Sequence, residues 1–403
     1  FAVTAGMLPP GLMLAGDGSL TGTPSAAGVP FDFTVTATDS SGAGVGGPFS
    51  GTRAYSMIIA MADQAPLTAT ATPSTIPFDG MSTLSTVGGS GTGAVTYVVV
   101  AGGSFCSLVG STLTGTGVGI CTVTATKAAD SNYNAATATV DVEVTPADQA
   151  ALTAAAIPST IPFAGMSTLS TMGGSGTGAV SFAVTAGAAF CSIVDSTLTG
   201  TGVGTCTVTA TKGADANYNS ATATVDVEVI PADQAALTAA ATPSTIPFDG
   251  MSTLSTVGGS GTGAVSYFIT AGGSFCSLVG NMLTGTGVGT CTVTATKAAD
   301  ANYSAATATV DVEVIPADQA ALTATATPST IPFDGMSTLS TTGGSGTGTV
   351  SYVVTAGAAF CSMIDTTLTG TGVGACTVTA TKAADANYNA VTATVDVEVI
   401  PAD

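Results

Sequence analysis

FCSLVGSTLTGTGVGICTVTATK, residues Phe105 to Lys127, is the repeated segment that determines the architecture of this chain. It returns at Phe190–Lys212, Phe275–Lys297 and Phe360–Lys382, always at the same interval after the previous copy. A fixed period with few substitutions is typical of a tandem array of small domains. The predicted repeats span residues 62–146, 147–231, 232–316 and 317–403.

Within a repeat, short strand-forming runs alternate with glycine and proline, and no helical periodicity competes. Ile120–Thr126 alternates apolar residues with threonine, as a half-buried strand does. Ala94–Ala101 (AVTYVVVA) is continuously apolar and is predicted to be the most buried strand. About seven short strands per repeat is the pattern of an immunoglobulin-like sandwich. The predicted fold is therefore all-β, with tandem immunoglobulin-like β-sandwich domains in an extended array.

All eight cysteines lie in the repeated stretch, two per copy at one spacing. The pairs are Cys106 and Cys121, Cys191 and Cys206, Cys276 and Cys291, and Cys361 and Cys376. One pair per repeat predicts one disulfide per domain and an oxidising, extracytoplasmic compartment. The alternative, a metal site, is disfavoured because two thiols without histidine or a second pair cannot complete a zinc shell.

The composition excludes several classes of function. Only 7% of residues are charged, and 25 acidic residues against five basic ones give a net charge of −20. This balance argues against nucleic acid or an anionic membrane as a partner. The absence of histidine rules out Ser/His and Cys/His catalysis, so the protein is predicted not to be an enzyme. No apolar run approaches the length of about 20 residues that spans a bilayer, so no membrane insertion is expected.

The opening segment, residues 1–61, does not form a full repeat. Phe1–Gly6 (FAVTAG) is identical to Phe182–Gly187, which lies well inside the second repeat. Residues 1–61 are therefore predicted to be an incomplete Ig-like domain that has the last five strands and lacks the first ones. Phe33 stands where the repeats have their second cysteine. Both ends of the chain are interpreted as cuts in a longer array.

The repeats are joined by a short segment, Thr145–Gln149, which contains a proline. Such a join permits little bending, so the array is expected to be an extended rod. Five domains of about 35–40 Å each would reach on the order of 150–200 Å, given a rise of ~3.3 Å per strand residue.

The repeats resemble the bacterial Ig-like repeats of large surface proteins. The likeness covers Ala62 to Asp403 and lies in STLTGTGVGxCTVTATK, ADxNYNAATATVDVEV and GGSGTGAVTY. The opening segment, with LPPGL at Leu8–Leu12 and FTVTATDSSGA at Phe33–Ala43, looks like the family called Putative Ig domain, found in bacterial exoproteins. Such families mostly build adhesin stalks, filaments and surface layers, or spacers in secreted enzymes.

The resemblance implies an extracellular or cell-surface structural fibre, either a filament protomer or a segment of an adhesin stalk. The expected partners are further copies, head to tail, or neighbouring domains of the same long chain. In the filament version, a strand from another subunit would complete residues 1–61. The alternatives are a spacer or accessory region of a secreted enzyme, or a ligand-binding surface module.

No cofactor is expected, with one alternative. Asp141 and Glu143 share one face of the last strand, and Asp148 follows in the join. Together with Asp79 they could bind calcium at the domain junctions. Ala164 replaces that aspartate in the second repeat, which argues against calcium, so solvated carboxylates are preferred.

Each repeat carries a single lysine, Lys127 in the first. Ig-like surface domains sometimes contain Lys–Asn isopeptide cross-links, but Lys127 closes a strand beside a loop that contains Asp130. A surface ion pair between Lys127 and Asp130 is therefore predicted. Tyr133, in the same loop, is predicted to pack over one end of the sandwich with its hydroxyl bonded locally.

Overall fold

The computed structural model describes residues 1–403, with residue 45 described by its backbone alone. Within residues 62–146 it contains eight strands where the sequence predicts about seven. Residues 1–61 contain five strands, named β1 to β5 and bounded below, so the numbering of the first repeat begins at β6. Its strands are β6 (Leu67–Thr72), β7 (Thr75–Pro77), β8 (Met81–Gly88), β9 (Val95–Ala101), β10 (Cys106–Val109), β11 (Thr112–Gly115), β12 (Gly119–Lys127) and β13 (Ala136–Thr145).

These eight strands form two four-stranded sheets, in the orders β10-β11-β8-β6 and β7-β13-β12-β9. Neighbours are antiparallel except β7 and β13, which pair in parallel. This is the topology of an immunoglobulin sandwich whose first strand is divided between the two sheets. The predicted fold of tandem immunoglobulin-like sandwiches is confirmed.

The extra strand arises at Pro73, which separates β6 from β7. Proline has no backbone N–H for a ladder, so the chain leaves the first sheet there and joins the second. The carbonyl of Pro73 accepts a hydrogen bond from the Ser82 hydroxyl at 2.7 Å. Ser82 is buried, so this bond satisfies a polar side chain inside the sandwich.

The other three repeats have the same eight strands at the same offsets. In the second repeat they are β14 (Leu152–Ile157), β15 (Thr160–Pro162), β16 (Met166–Gly173), β17 (Val180–Ala186), β18 (Cys191–Val194), β19 (Thr197–Gly200), β20 (Gly204–Lys212) and β21 (Ala221–Ile230). In the third they are β22 (Leu237–Thr242), β23 (Thr245–Pro247), β24 (Met251–Gly258), β25 (Val265–Ala271), β26 (Cys276–Val279), β27 (Met282–Gly285), β28 (Gly289–Lys297) and β29 (Ala306–Ile315). In the fourth they are β30 (Leu322–Thr327), β31 (Thr330–Pro332), β32 (Met336–Gly343), β33 (Val350–Ala356), β34 (Cys361–Ile364), β35 (Thr367–Gly370), β36 (Gly374–Lys382) and β37 (Val391–Ile400).

The core of a repeat lies between the sheets and comes from alternate residues of the strands. In the first repeat, Leu84, Leu113, Val123 and Val142 are fully or almost fully buried and pack together with the two cysteines. The structure joins the cysteines as four disulfides, one per repeat. Each connects the two sheets, since Cys106 is on β10 and Cys121 on β12.

The prediction that Ala94–Ala101 is the most buried strand is wrong. β9 is an edge strand that pairs only with β12. Val98 and Val100 are exposed, while Tyr97 and Val99 face the core and are half-buried. A continuous apolar run indicates burial on both faces only where both faces are covered, and here the outer face meets solvent.

Residues 1–61 contain β1 (Ala2–Gly6), β2 (Leu12–Leu14), β3 (Leu20–Gly22), β4 (Pro30–Thr38), a short 3₁₀ helix (Ala43–Val45) and β5 (Ser50–Ile58). The sheets are β1-β4-β5 and β2-β3. They match the arrangement of the last five strands of a repeat, β9 to β13. Leu12 and Phe33 occupy the two cysteine positions, so an apolar pair stands in place of the disulfide.

The core of this first unit is more open than that of a repeat. Leu20 is 37% exposed, whereas its counterpart Leu113 is fully buried. Tyr55 is likewise exposed where the repeat has buried Val142, although it stacks on Phe33 at 5.7 Å between ring centroids. The side chains that cover these positions in a repeat come from β7 and β8.

Candidate functional site: the junctions between repeats

One end of each repeat presents a phenylalanine on a tight turn. Gly80 N–H donates to the Pro77 carbonyl at 2.8 Å and closes the turn, while Phe78 N–H donates to Thr145 O at 2.8 Å. Asp79, the third residue of the turn, has φ +62°. This left-handed conformation suits glycine, asparagine or aspartate better than other residues. The turn therefore fixes Phe78 at the end of the sandwich from which β13 leaves.

The opposite end is organised by the carboxylate of Asp130, in the loop between β12 and β13. Its Oδ1 accepts the backbone N–H groups of Asn132 at 2.8 Å and Tyr133 at 2.9 Å. Its Oδ2 accepts the Thr92 backbone N–H at 2.6 Å and the Thr92 hydroxyl at 3.2 Å. One side chain thus shapes its own loop and attaches it to the glycine-rich loop between β8 and β9.

Asp215, Asp300 and Asp385 are the counterparts of Asp130 in the other repeats. Hydrogen bonds of this kind lower the pKa of all four aspartates, because N–H donors stabilise the ionised carboxylate. The backbone N–H of Thr177 is the largest cause at Asp215, whose pKa falls to about 2. Asp300 and Asp385 behave alike, with their pKa values also at about 2. For Asp130 the pKa is lowered chiefly by the Asn132 N–H.

The predicted ion pair between Lys127 and Asp130 is wrong. The Lys127 ammonium instead donates to the carbonyls of Gly89 at 3.1 Å and Gly88 at 3.5 Å, at the end of β8. The physical reason is that backbone and hydroxyl donors already occupy the Asp130 oxygens. Lys127 therefore caps exposed carbonyls of the same glycine-rich loop.

The segment between two repeats is bound along its length to the repeat that follows. Ala147 N–H donates to Asn217 O, and Asn219 N–H donates to Ala147 O, both at 2.9 Å. The Asn219 amide donates to Asp148 Oδ1 at 2.9 Å. Gln149 Nε2 donates to Asn219 O at 2.8 Å. Three consecutive joining residues are thus held by one loop.

Gln149 also connects this loop to the glycine-rich loop. Its Nε2 reaches Gly213 O at 3.1 Å, and its Oε1 accepts the Gly176 N–H at 3.3 Å. The counterparts Gln64, Gln234 and Gln319 make the same set of bonds in the other repeats. We call this arrangement of joining segment, Asp-centred loop and glutamine the linker clamp.

An aromatic pair crosses each junction between full repeats. The pairs are Phe78 with Tyr218, Phe163 with Tyr303, and Phe248 with Tyr388. In every pair the ring centroids are 5.4 Å apart, with interplanar angles of 72° to 74°. Edge-to-face geometry of this kind contributes about 0.5–1.5 kcal/mol beyond the buried area. The turn of one repeat therefore meets the clamped loop of the next.

The junction between residues 1–61 and the first repeat has different contacts. Asn132 accepts the Ala27 N–H at 3.0 Å and donates to Ser25 O at 3.2 Å. Tyr133 lines a cavity of about 300 Å³ together with Pro24 and Ala27. No described residue of the first unit places a phenylalanine ring on Tyr133, since that unit contains no counterpart of the turn after β7.

Tyr218, Tyr303 and Tyr388 lie at the end of the sandwich, as predicted for Tyr133 and its counterparts. Among the described residues, none of their hydroxyls makes the predicted local hydrogen bond. Phe78, Gln149 and Asn219 also take part in the junction, although none of them was predicted from the sequence. Two signals in the sequence point to them. A-D-Q recurs at every join, and the phenylalanine on each turn lies at a constant interval from a tyrosine in the next repeat.

Two of the carboxylates considered for calcium already accept hydrogen bonds in different parts of the fold. Asp141 accepts the Thr122 hydroxyl at 2.7 Å on the outer face of β13, and Asp148 belongs to the linker clamp through its second-repeat partner Asn219. Within the described part of the chain, no three Cys, Asp or Glu side chains gather in an arrangement that could hold a metal ion.

No described helix has the length and the apolar surface that crossing a membrane would need.

Comparison with known proteins supports the fold. Residues 1–60 match the family model described as "Putative Ig domain". No curated protein matches the chain.

Solved structures of several multidomain surface proteins are similar to the chain. Protocadherin Gamma B2 extracellular cadherin domains 1–5 are 12% identical, with 100% of this chain and 93% of that chain covered and a TM-score of 0.32. Invasin, a bacterial integrin-binding protein, is 18% identical over 83% and 79%, with a TM-score of 0.29. Surface layer protein SbsC, domains 1–6, is 14% identical over 95% and 60%, with a TM-score of 0.24. At these values no domain arrangement is transferred from those proteins to this chain.

Proposed function

We propose that this array of immunoglobulin-like domains is an extracellular structural rod, either a filament protomer or a segment of an adhesin stalk. The observation that carries the proposal is the junction, where the aromatic pair and the alanine and glutamine bonds of the linker clamp recur three times. The Asp148–Asn219 bond recurs at the third junction but not at the second, where Ser304 replaces the asparagine. Its role would be reach and stiffness, supplied by repeats held in one relative orientation. A structural role of this kind requires no catalytic group.

Stiffness follows from how little of the chain between repeats is free. Ala147, Asp148 and Gln149 are all hydrogen-bonded to the second repeat, while Thr145 ends β13 of the first. Pro146 is the residue left between them, and its ring fixes φ. Bending at the junction would have to break the clamp or separate the Phe78 and Tyr218 rings.

The disulfides support an extracellular location. They form and persist in oxidising compartments. A closed loop of 15 residues should stabilise a repeat by about 3 kcal/mol, a large share of the net stability of so small a domain. Stable, closed domains joined by clamped linkers would also leave few sites for proteolysis.

The partners are neighbouring domains of a longer chain or further copies arranged head to tail. Donation of a strand to residues 1–61 by a second copy is disfavoured. The strands of the matching type, such as β7 and β8, are already paired within their own sandwiches. A donor would therefore have to come from outside residues 1–403. The competing function, a spacer in a secreted enzyme, would use the same stiffness.

The proposal is tested by small-angle X-ray scattering of the triple variant Phe78→Ala/Phe163→Ala/Phe248→Ala. We expect the wild-type chain to scatter as one extended rod, and the variant to have a smaller maximum dimension and a broader distribution of shapes. The control is Val87→Ala/Met172→Ala/Val257→Ala, which removes similar apolar groups from exposed positions of the central strands β8, β16 and β24 and should leave the scattering unchanged. Circular dichroism would verify that both variants fold. Equal dimensions for the junction variant and wild type would refute stiffening by the aromatic pair.

A further inference from the structure

Each sandwich is closed on one side and open on the other. On the closed side, β6 and β7 are successive parts of one chain segment and belong to different sheets. On the open side, the edges are β9 and β10, and β10 has only four residues. β9 has seven residues and contains no proline, glycine or charge. Natural edge strands are usually shortened, charged, bulged or interrupted by proline. β9 has a bulge at Val100, near its end, but the regular part from Val95 to Val99 has none of these protections and is open to pairing.

The open side forms a cavity lined by both apolar and polar residues. In the third repeat it measures about 630 Å³ and lies between Val265–Ile269 on β25 and Leu278 on β26. In the fourth it measures about 610 Å³ between Val350–Val354 on β33 and Met363 on β34, and Asp365 in the turn after β34 also lines it. Phe268, on the outer face of β25, is 64% exposed. An extended segment paired with such an edge would continue the sheet and cover the cavity.

We propose that the outer edges of β9, β17, β25 and β33 pair with the same edges of a second copy of this chain. The charge distribution favours this occupant. Acidic residues lie on the outer face of β13 (Asp141, Glu143), in the turn (Asp79) and in the linker clamp (Asp148). Two copies with a net charge of −20 repel where such residues meet. The edge strands themselves are uncharged. Asp195 and Asp365 follow β18 and β34 on the open side, but the other two repeats have Gly280 and Gly110 at that position, so a pair of unlike repeats does not bring two of these carboxylates together.

The pairing is self-complementary. β6 and β13 carry the chain from one junction to the next, so strand direction follows chain direction. An antiparallel pair related by a twofold axis therefore reverses the order of repeats in one copy. The second repeat of one copy then lies beside the third repeat of the other copy, where the small Ala183 leaves room for Phe268. The first lies beside the fourth, where Val98 meets Val353. A second pairing between the same two copies would be intramolecular and would add avidity.

Sedimentation of the full chain over a wide concentration range tests the proposal. We expect a reversible monomer–dimer equilibrium that strengthens as salt is raised, because salt screens the repulsion of the acidic surfaces while the apolar edge contact persists. The variant Val98→Glu/Phe268→Glu/Val353→Glu places like charges opposite each other at positions 98 and 353 and removes the apolar contact of Phe268 beside Ala183. It should weaken the dimer by about tenfold or more.

The matched control is Met81→Glu/Met251→Glu/Met336→Glu, which adds the same charge at similarly exposed positions of central strands. It should leave the dissociation constant within a fewfold of wild type. A chain that stays monomeric at every concentration and salt, or equal effects of the two variants, would overturn the pairing. Either result would leave the rod proposal untouched, because rod stiffness is measured on the monomer.

Discussion

Replacing Ala164 with glycine should stabilise the second repeat. Ala164 has φ +61° in the turn that presents Phe163, where the other repeats have Asp79, Asp249 and Asp334 at the same angle within a degree. A left-handed conformation costs an L-residue about 1–2 kcal/mol, a penalty that glycine avoids. Glycine offsets part of this gain, because its greater conformational freedom in the unfolded state destabilises the fold by roughly 0.5–1 kcal/mol. The expected net gain is about 0.5–1 kcal/mol.

Hydrogen exchange read by mass spectrometry can isolate this effect, because the second repeat differs in sequence around β16, where it alone has Met172. A gain of about 0.5–1 kcal/mol should slow exchange through local opening by about two- to fivefold, since ~1.4 kcal/mol corresponds to tenfold. If the second repeat unfolds as a unit, its midpoint should rise by about 2–8 °C.

Two control variants test whether the effect comes from the backbone angle. Asp249→Ala puts alanine at the same angle in the third repeat and should speed exchange there. Ala154→Gly places glycine in β14, whose backbone is extended, and should destabilise the second repeat. If Ala164→Gly left exchange unchanged or made it faster, the backbone angle would not be the source of strain.

Three further predictions concern stability. The pKa of Asp215, Asp300 and Asp385 is about 2 in the folded chain and 3.8 in the unfolded chain. The stability that these carboxylates contribute to folding is therefore complete above pH 3.8 and is lost as the pH falls through about 2. NMR titration of the Thr177, Thr262 and Thr347 amide signals should show the change in that window, and a midpoint near 3.8 would contradict it. Ser252→Ala should cost about 1–3 kcal/mol by removing the bond to the Pro243 carbonyl, whereas exposed Ser255→Ala should cost little in the same denaturation experiment. The variant Cys276→Ala/Cys291→Ala should still fold, as the cysteine-free first unit does, but its unfolding free energy should fall by about 3 kcal/mol. An undiminished unfolding free energy would exclude the disulfide as a source of stability.

Local patterns in the sequence predict the strands well where one face is buried. β12 alternates apolar residues with threonine, and the structure has it at Gly119–Lys127, over the predicted strand Ile120–Thr126. Its neighbour β13 alternates apolar residues with threonine or acid in the same way. β9 shows where this reasoning fails. Its run of apolar residues says nothing about whether another strand lies beside it, because an edge is a property of the whole sheet.

The junction was only partly predictable for a related reason. The short proline-containing join is visible in the sequence, but the contact of Phe78 with Tyr218 links two domains and residues far apart in the chain. Lys127 illustrates a second limit, since opposite charges close in sequence suggest a pair. Which acceptor the ammonium meets depends on the Asp130 oxygens being occupied by backbone donors from another loop.

The parallel pairing of β7 with β13 determines how a repeat would respond to tension. Thr75 lies beside Glu143 and Pro77 beside Thr145, close to where the chain leaves the repeat. Pulling on both ends of the array slides these strands along each other, so their bonds are loaded in shear and must break together. After rupture, the disulfide still holds 15 residues in a closed loop. The rest of the repeat, roughly 70 residues, would then extend and release roughly 230–250 Å of chain, and reduction would release roughly 50 Å more.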